Sequence, residues 1–313
     1  MAIFSCNFSN VSRAKGGSAV AAAAYITCTT MYDLRTGECF PYSQKNGLWF
    51  SEVLLPKAAP EEYLDPEVLF NAIETYEENK DAKVAKREIV ALPRELTDKQ
   101  RVRVMRDYIE KVFTRKGYAA LYAIHDKNDG NPHAHILIPS RKINSKGEWE
   151  EKEKKVYALD EKGERIPILN PDGTQKLGPR NEKLWKRERI KYNDIELKAF
   201  LLEARKEWAF QCNKFLAPEH QIDCRSYEDQ GLAYEPTLHE GYIARKIEAR
   251  GGFSEKVEEN RKRRKYNQKI KEEYKAIDLL KKEIENLKES IEQVREYLKK
   301  VSEAIRKLKR QLK

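Results

Sequence analysis

Two apolar stretches separated by a short polar turn constrain this chain more than any other feature. YAALYAIHD (118–126) and HAHILIPS (133–140) each suit a strand, and KNDGNP between them is turn chemistry. Together they predict a β-hairpin. Side chains alternate faces along a strand, so His133 and His135 point one way and Ala134 the other. His125 ends the preceding strand. The chain has five histidines, and this hairpin can bring three of them to one place. Three neutral imidazoles with coordination positions left open are the donor set of a catalytic divalent-metal site. The competing reading is one buried histidine with two exposed neighbours. His220 reads as a surface residue.

Other elements follow along the chain. Residues 2–9 (AIFSCNFS) alternate like a half-buried strand. Ser18 is placed to cap a helix over the Ala-rich AVAAAAYITCTTMY, with RTGE as the next turn. LWFSEVLLP suits a strand, residues 60–86 read helical, and REIVALP (87–93) suits a strand stopped by Pro93. Thr97 caps an amphipathic helix that Gly117 ends. Residues 141–192 are charged, with turns at NSKG and NPDG, and are expected to be an inserted, partly ordered excursion. Residues 193–216 read as a long amphipathic helix, and 217–252 as turns and short elements.

The tail has a different period. Ile277, Ile284, Ile291, Leu298, Ile305 and Leu312 fall seven apart, with Leu280, Leu287, Val294, Val301 and Leu308 three residues after the first five. This a/d pattern predicts a coiled coil, and Ile at a with Leu at d favours two parallel strands. The alternatives are a homodimer through residues 277–312 and a long helix folded back on the rest of the chain. Residues 255–313 carry 20 basic and 12 acidic side chains, which leaves only +2 of the total +10 for the first 254 residues. Net charge therefore says little about whether the N-terminal part binds DNA. The five cysteines, Cys6, Cys28, Cys39, Cys212 and Cys224, form no CxxC pair. They exclude a disulfide scaffold and fit a reducing cytoplasm. No apolar run approaches the roughly 18 residues of a membrane helix, and the N-terminus lacks signal-peptide patterning, so a cytoplasmic protein without membrane insertion is expected.

The His-hydrophobic-His triplet is the signature of HUH endonucleases. The wider string HDKNDGNPHAHILIPSR resembles the MobA/MobL family of plasmid mobilisation relaxases. GGSAVAAAAYITCTTMYDLRTGE, REIVALP and DCRSYEDQGLAYEPTLHEGYIARKIEARG resemble further motifs of that family, in the same order. The matches cover about residues 1–252. They imply a relaxase domain over 1–252, interrupted at about 141–192; the heptads add a basic helical coiled-coil tail over 253–313.

The resemblance implies an α+β fold, a central antiparallel sheet flanked by helices, with the histidine hairpin at its centre. It implies a nickase acting on single-stranded DNA at a plasmid origin of transfer. A tyrosine hydroxyl attacks the scissile phosphate, giving a 5′-phosphotyrosyl intermediate and a free 3′-OH, and the ends are rejoined after conjugative transfer. A phenol ionises near pH 10, so it needs a strongly polarised phosphate, which a divalent ion supplies. Tyr25 matches the motif tyrosine. Tyr32, two helical turns on if the helix continues, is the second choice. His125, His133 and His135 match the metal ligands, with manganese or magnesium as the ion. Glu88 in REIVALP matches a motif acid and is the expected carboxylate partner of the imidazoles. Glu38 and Asp126 are weaker versions of the same idea. Arg13, Lys15 and Arg225 are candidate phosphate contacts, and His239 is read as structural or near the DNA. Relaxosome accessory proteins and a conjugative coupling protein are the implied partners. Competing readings are an HUH rolling-circle replication initiator and a non-catalytic DNA-binding or assembly protein.

Overall fold

The computed structural model describes residues 4–127, 130–191, 193–238 and 240–311. Its contacts divide the chain into two compact units, Met1–Cys224 and Arg225–Lys313. The expected boundary at 252/253 lies further along the chain.

The first unit is built on a five-stranded antiparallel sheet of β1 (Cys6–Ser12), β4 (Leu48–Leu54), β5 (Lys83–Ala91), β6 (Ala120–His125) and β7 (His133–Pro139). The strand order is β1-β5-β7-β6-β4, so the hairpin β6–β7 is central and supplies the middle strand, β7. This is the expected fold class. Helices α3 (Asp98–Val112) and α4 (Lys198–Asn213) cover one face, where Tyr108, Trp208, Tyr122, Ile124, Ala134 and Ile136 form a core. Helices α1 (Ala19–Thr27) and α2 (Pro66–Tyr76) cover the other, packing Ala23, Ala24, Leu69, Phe70 and Ile73 on Leu121, Ala123 and Leu137. Both faces of β6 and β7 are therefore buried.

Local chemistry explains most element ends. Thr97 and Gln100 form a reciprocal capping box at the start of α3. Asp65 caps α2 and Pro66 occupies its first position. The helix expected over 60–86 is thus shorter than its charge pattern suggests, and β5 begins at Lys83. The Ala-rich helix also stops early. Cys28 is left-handed (φ 54°), and Thr30–Asp33 leaves the helix as β2 to pair with β3 (Glu38–Pro41) around the RTGE turn. Tyr32 is consequently a strand residue that does not share a helical face with Tyr25.

The excursion at 141–192 is ordered into turns. Strands β8 (Glu153–Tyr157) and β9 (Arg187–Lys191) pair, and two closed rings of backbone hydrogen bonds sit beyond them. Ala158, Ile166 and Lys186 form one ring, and Ile168, Leu184 and Lys176 the other, each N–H donating to the next carbonyl. In the second unit, α5 (Gly241–Ala249) precedes α6 (Glu255–Gln311), one helix of 57 residues. Residue Leu312 of the heptad pattern lies outside the described residues.

Candidate metal and nucleophile site

The register of the central hairpin puts three imidazoles on one face. His125 pairs directly with His133, and Ala123 with His135. Directly opposed residues of an antiparallel pair point to the same side. All three rings therefore face α1, with centroids 5.1 Å apart for His125–His135 and His133–His135, and 5.7 Å for His125–His133. His125 and His135 are buried.

Burial is the main reason their charged forms are disfavoured. It pushes His135 down to about 3, with His133, His125, Lys45 and Arg87 adding repulsion. His125 is also lowered, first by burial, and Lys45, His133 and Lys127 act in the same direction against its hydrogen bond to Ile26. The charged groups acting most strongly on these two rings are all basic. Burial thus favours uncharged rings at His125 and His135 inside a positive field, suited to an anionic ligand.

Helix α1 supplies the other wall. Ala19, Ala23 and Ala24 are fully buried, and their small side chains let the helix lie close to β6 and β7. Its last turn abuts the cluster, with the Ile26 carbonyl 2.7 Å from His125 Nε2. The preceding residue, Tyr25, is exposed (39%). Lys45 Nζ lies 3.2 Å from the Tyr25 ring centroid and donates to the Tyr25 carbonyl at 3.1 Å. Tyr42 packs edge-on against the same ring at 5.4 Å. The nucleophile candidate is therefore held exposed in the last turn of α1, next to the residue that meets His125, with an ammonium on its ring face.

The donor set fits a divalent ion. Burial favours the neutral form of His125 and His135, and His135 Nδ1 is buried without a hydrogen-bond partner, which is costly unless something binds it. His133 Nδ1 contacts the Asn131 carbonyl at 2.9 Å, the orienting contact common to metal-ligating histidines. Among the described residues, however, no group of three or more His, Cys, Asp or Glu is closed around a metal-sized point. His125 Nε2 is engaged by Ile26, and a ligand role for that nitrogen requires that hydrogen bond to be exchanged.

Several sequence-based assignments change. Glu88 is not brought to the imidazoles. It pairs with Ile136, while Ile89 pairs with His135, so its carboxylate points to the opposite face of the sheet. There it is fully buried, accepting hydrogen bonds from Tyr108 Oη (2.6 Å) and Cys6 Sγ (3.1 Å). Its expected role beside the histidines is corrected on that ground. Arg13 is also removed from the phosphate contacts. Its guanidinium is nearly buried against Glu74 (2.6 Å), the carboxylate that also accepts the Ala19 N–H at the start of α1. Lys15 is exposed on the turn after β1. Arg225 belongs to the second unit, where it donates to the Asp229 carbonyl. Asp126 forms an ion pair with Arg101 at 3.0 Å. Glu38 is exposed on β3, and His239 lies outside the described residues.

Three basic residues went unselected in the sequence: Lys45, Arg87 and Lys127. Lys45 sits in an ordinary polar turn. Arg87 and Ile89 share the histidine face only through the β5–β7 register. Lys127 packs over Gly47, whose φ of +106° and missing Cβ make room for the lysine stem.

Comparison with known proteins identifies the family. The MobA/MobL family model matches residues 17–250. The chain belongs to the MobA/MobL family. It is 47% identical over 271 residues to the probable mobilization protein MobA of Bifidobacterium longum (strain NCC 2705), covering 85% of this chain and 48% of the relative. It is 33% identical over 286 residues to the conjugal transfer protein TraA of Agrobacterium fabrum, covering 85% of this chain and 24% of that protein. The chain thus spans about half or less of these two relatives. A solved structure described as "Molecular Basis of Vancomycin Resistance Transfer in Staphylococcus aureus" superposes with a TM-score of 0.57 at 26% identity, covering 72% of this chain and all of that one.

Proposed function

We propose that this MobA/MobL chain is a relaxase that nicks and rejoins one DNA strand at a plasmid origin of transfer. The observation that supports the reading is the set of three imidazoles on one sheet face, met by the Ile26 carbonyl in the last turn of α1, one residue after Tyr25. Single-stranded DNA presents its scissile phosphate to this basic rim. Lys45, Arg87 and Lys127 hold the phosphate oxygens, and Lys45 also stabilises the phenolate as it forms. The Tyr25 oxygen bonds to phosphorus and gives up its proton, the bond to the 3′ oxygen breaks, and that oxygen takes up a proton. The products are a 5′-phosphotyrosine and a 3′-OH. One phosphodiester replaces another, so the step reverses and rejoining uses the same groups. A divalent ion held by His125, His133 and His135, manganese or magnesium, would polarise the phosphate and stabilise its added charge. Burial favours the neutral form of His125 and His135, the state that ligation requires.

The family's roles imply cytoplasmic work with relaxosome accessory proteins and a conjugative coupling protein. Among the described residues, no helix is long and apolar enough to cross a membrane. A rolling-circle initiator would share the metal and tyrosine chemistry, but the relatives found are mobilization and conjugal transfer proteins. The test is cleavage of labelled single strands spanning the transfer origin of the chain's own mobile element, with Mn²⁺, on a denaturing gel. The wild type yields a cleaved strand and a protein–DNA adduct, and Tyr25→Phe yields neither. Cleavage that survives Tyr25→Phe would move the nucleophile elsewhere. Binding without any cleavage by wild type would favour a non-catalytic protein.

A further inference from the structure

Helix α6 changes character along its length. Its first turns are covered by the chain's own segment. Asn260, Asn267 and Tyr274, spaced seven apart, bond the backbone of Leu238, Glu235 and Ala233. This strap holds one stripe of the helix and ends there. From Ile277 onward a different stripe begins, and none of the described residues covers it. Ile277, Leu280, Ile284, Leu287, Ile291, Val294, Leu298, Ile305 and Leu308 are between 44 and 62% exposed. They run along about 48 Å of helix at 1.5 Å per residue. A continuous apolar seam of that length marks an interface.

The charges beside the seam select its partner. With Ile277 at a, the first three e positions, Lys281, Lys288 and Arg295, are basic, and the fourth is Ser302. In an antiparallel pair e faces e, so these basic residues would gain no acidic partner from the other helix. In a parallel pair each g faces the e of the following heptad on the other helix. Glu283 at g then meets Lys288 of the second copy, and the other g residues, Ala276, Ser290, Tyr297 and Ala304, carry no charge. The e residues are also balanced on their own helix, since Asp278, Glu285 and Glu292 pair with Lys281, Lys288 and Arg295. Isoleucine at three successive a positions with leucine at d favours two strands over three.

We infer that residues 277–308 of two copies form a parallel, in-register, two-stranded coiled coil. The inference is independent of the nicking reading. The test is the solution mass of the full chain at about 10 μM, a concentration at which a coiled coil of micromolar or better affinity is assembled. Light scattering coupled to gel filtration should give twice 36.6 kDa for wild type and 36.6 kDa for Leu287→Glu/Ile291→Glu. Both sites are exposed in a single helix, and thermal unfolding of the first unit should be unchanged by the pair. A wild-type monomer, or a dimer that survives the double variant, overturns the inference. Orientation is read separately by oxidising Ile277→Cys and Leu308→Cys proteins and mapping the linked peptides. Like should link to like. Linkage between the two different variants, and not within either, would establish an antiparallel pair and overturn the parallel assignment.

Discussion

Glu88→Gln offers a quantitative test of the buried face of the sheet. Burial raises the Glu88 carboxyl from its ordinary 4.5 to about 7, against the opposing pull of the Tyr108 and Cys6 hydrogen bonds and the charge of Arg205. Between pH 4.5 and 7 the folded chain holds a proton that the unfolded chain has lost. Stability contributed by this group therefore falls as pH rises through that window and stays reduced above it. At 1.36 kcal/mol per pH unit the loss is about 3 kcal/mol. Gln keeps an oxygen for Tyr108 and Cys6 but puts an amide where Oε2 now has no partner, which costs about 1–3 kcal/mol at every pH. The variant should be the less stable protein at pH 4.5, and its disadvantage should shrink by about 3 kcal/mol by pH 8. Urea unfolding at both pH values, followed through Trp208, whose ring lies 5.2 Å from that of Tyr108, measures the difference. Parallel pH profiles for the two proteins would refute the assignment of a protonated buried carboxyl.

Other predictions concern the opposite face and the scaffold. Lys45→Met should lower the cleavage rate about 10- to 100-fold, the worth of one charge-assisted contact, with Lys45→Arg in between; an unchanged rate would remove Lys45 from the site. His135→Ala should abolish Mn²⁺ binding measured by calorimetry while leaving the fold intact by circular dichroism. Gly47→Ala should cost about 1–3 kcal/mol, because φ is +106° and the new Cβ lies 2.8 Å from the Lys127 stem; a neutral effect on thermal unfolding would contradict the stated strain. Thr97→Ala removes the capping box of α3 and should lower stability by about 1 kcal/mol in the same assay.

The parts of this molecule legible in the sequence are those set by local chemistry. The hairpin, its three histidines, the α3 cap and the heptads each follow from period and turn residues within a short window. The face on which Glu88 lies is not local. It depends on how β5 registers against β7, a pairing between residues nearly 50 positions apart that no strand pattern specifies. A shift of one residue would have sent Glu88 to the histidines and Ile89 to the core. The burial of Arg13 is non-local for a similar reason, since Glu74, which binds it, comes from a distant helix. The early end of α1 had a weak local signal in Thr29 and Thr30, but the β2–β3 pairing that takes over is what stops the helix. Lys45 carries no sequence mark, and only its position over Tyr25 distinguishes it.

The most direct test of the central claim is the identity of the residue that carries the DNA. Wild-type protein would be incubated with Mn²⁺ and a single-stranded transfer-origin oligonucleotide, digested with nuclease and protease, and the nucleotide-bearing peptide sequenced by mass spectrometry. The account predicts a phosphonucleotide on Tyr25, within the peptide that ends α1. Attachment at Tyr32 or any other residue would contradict the assignment of Tyr25, and cleavage that leaves no covalent adduct would contradict the tyrosine mechanism itself.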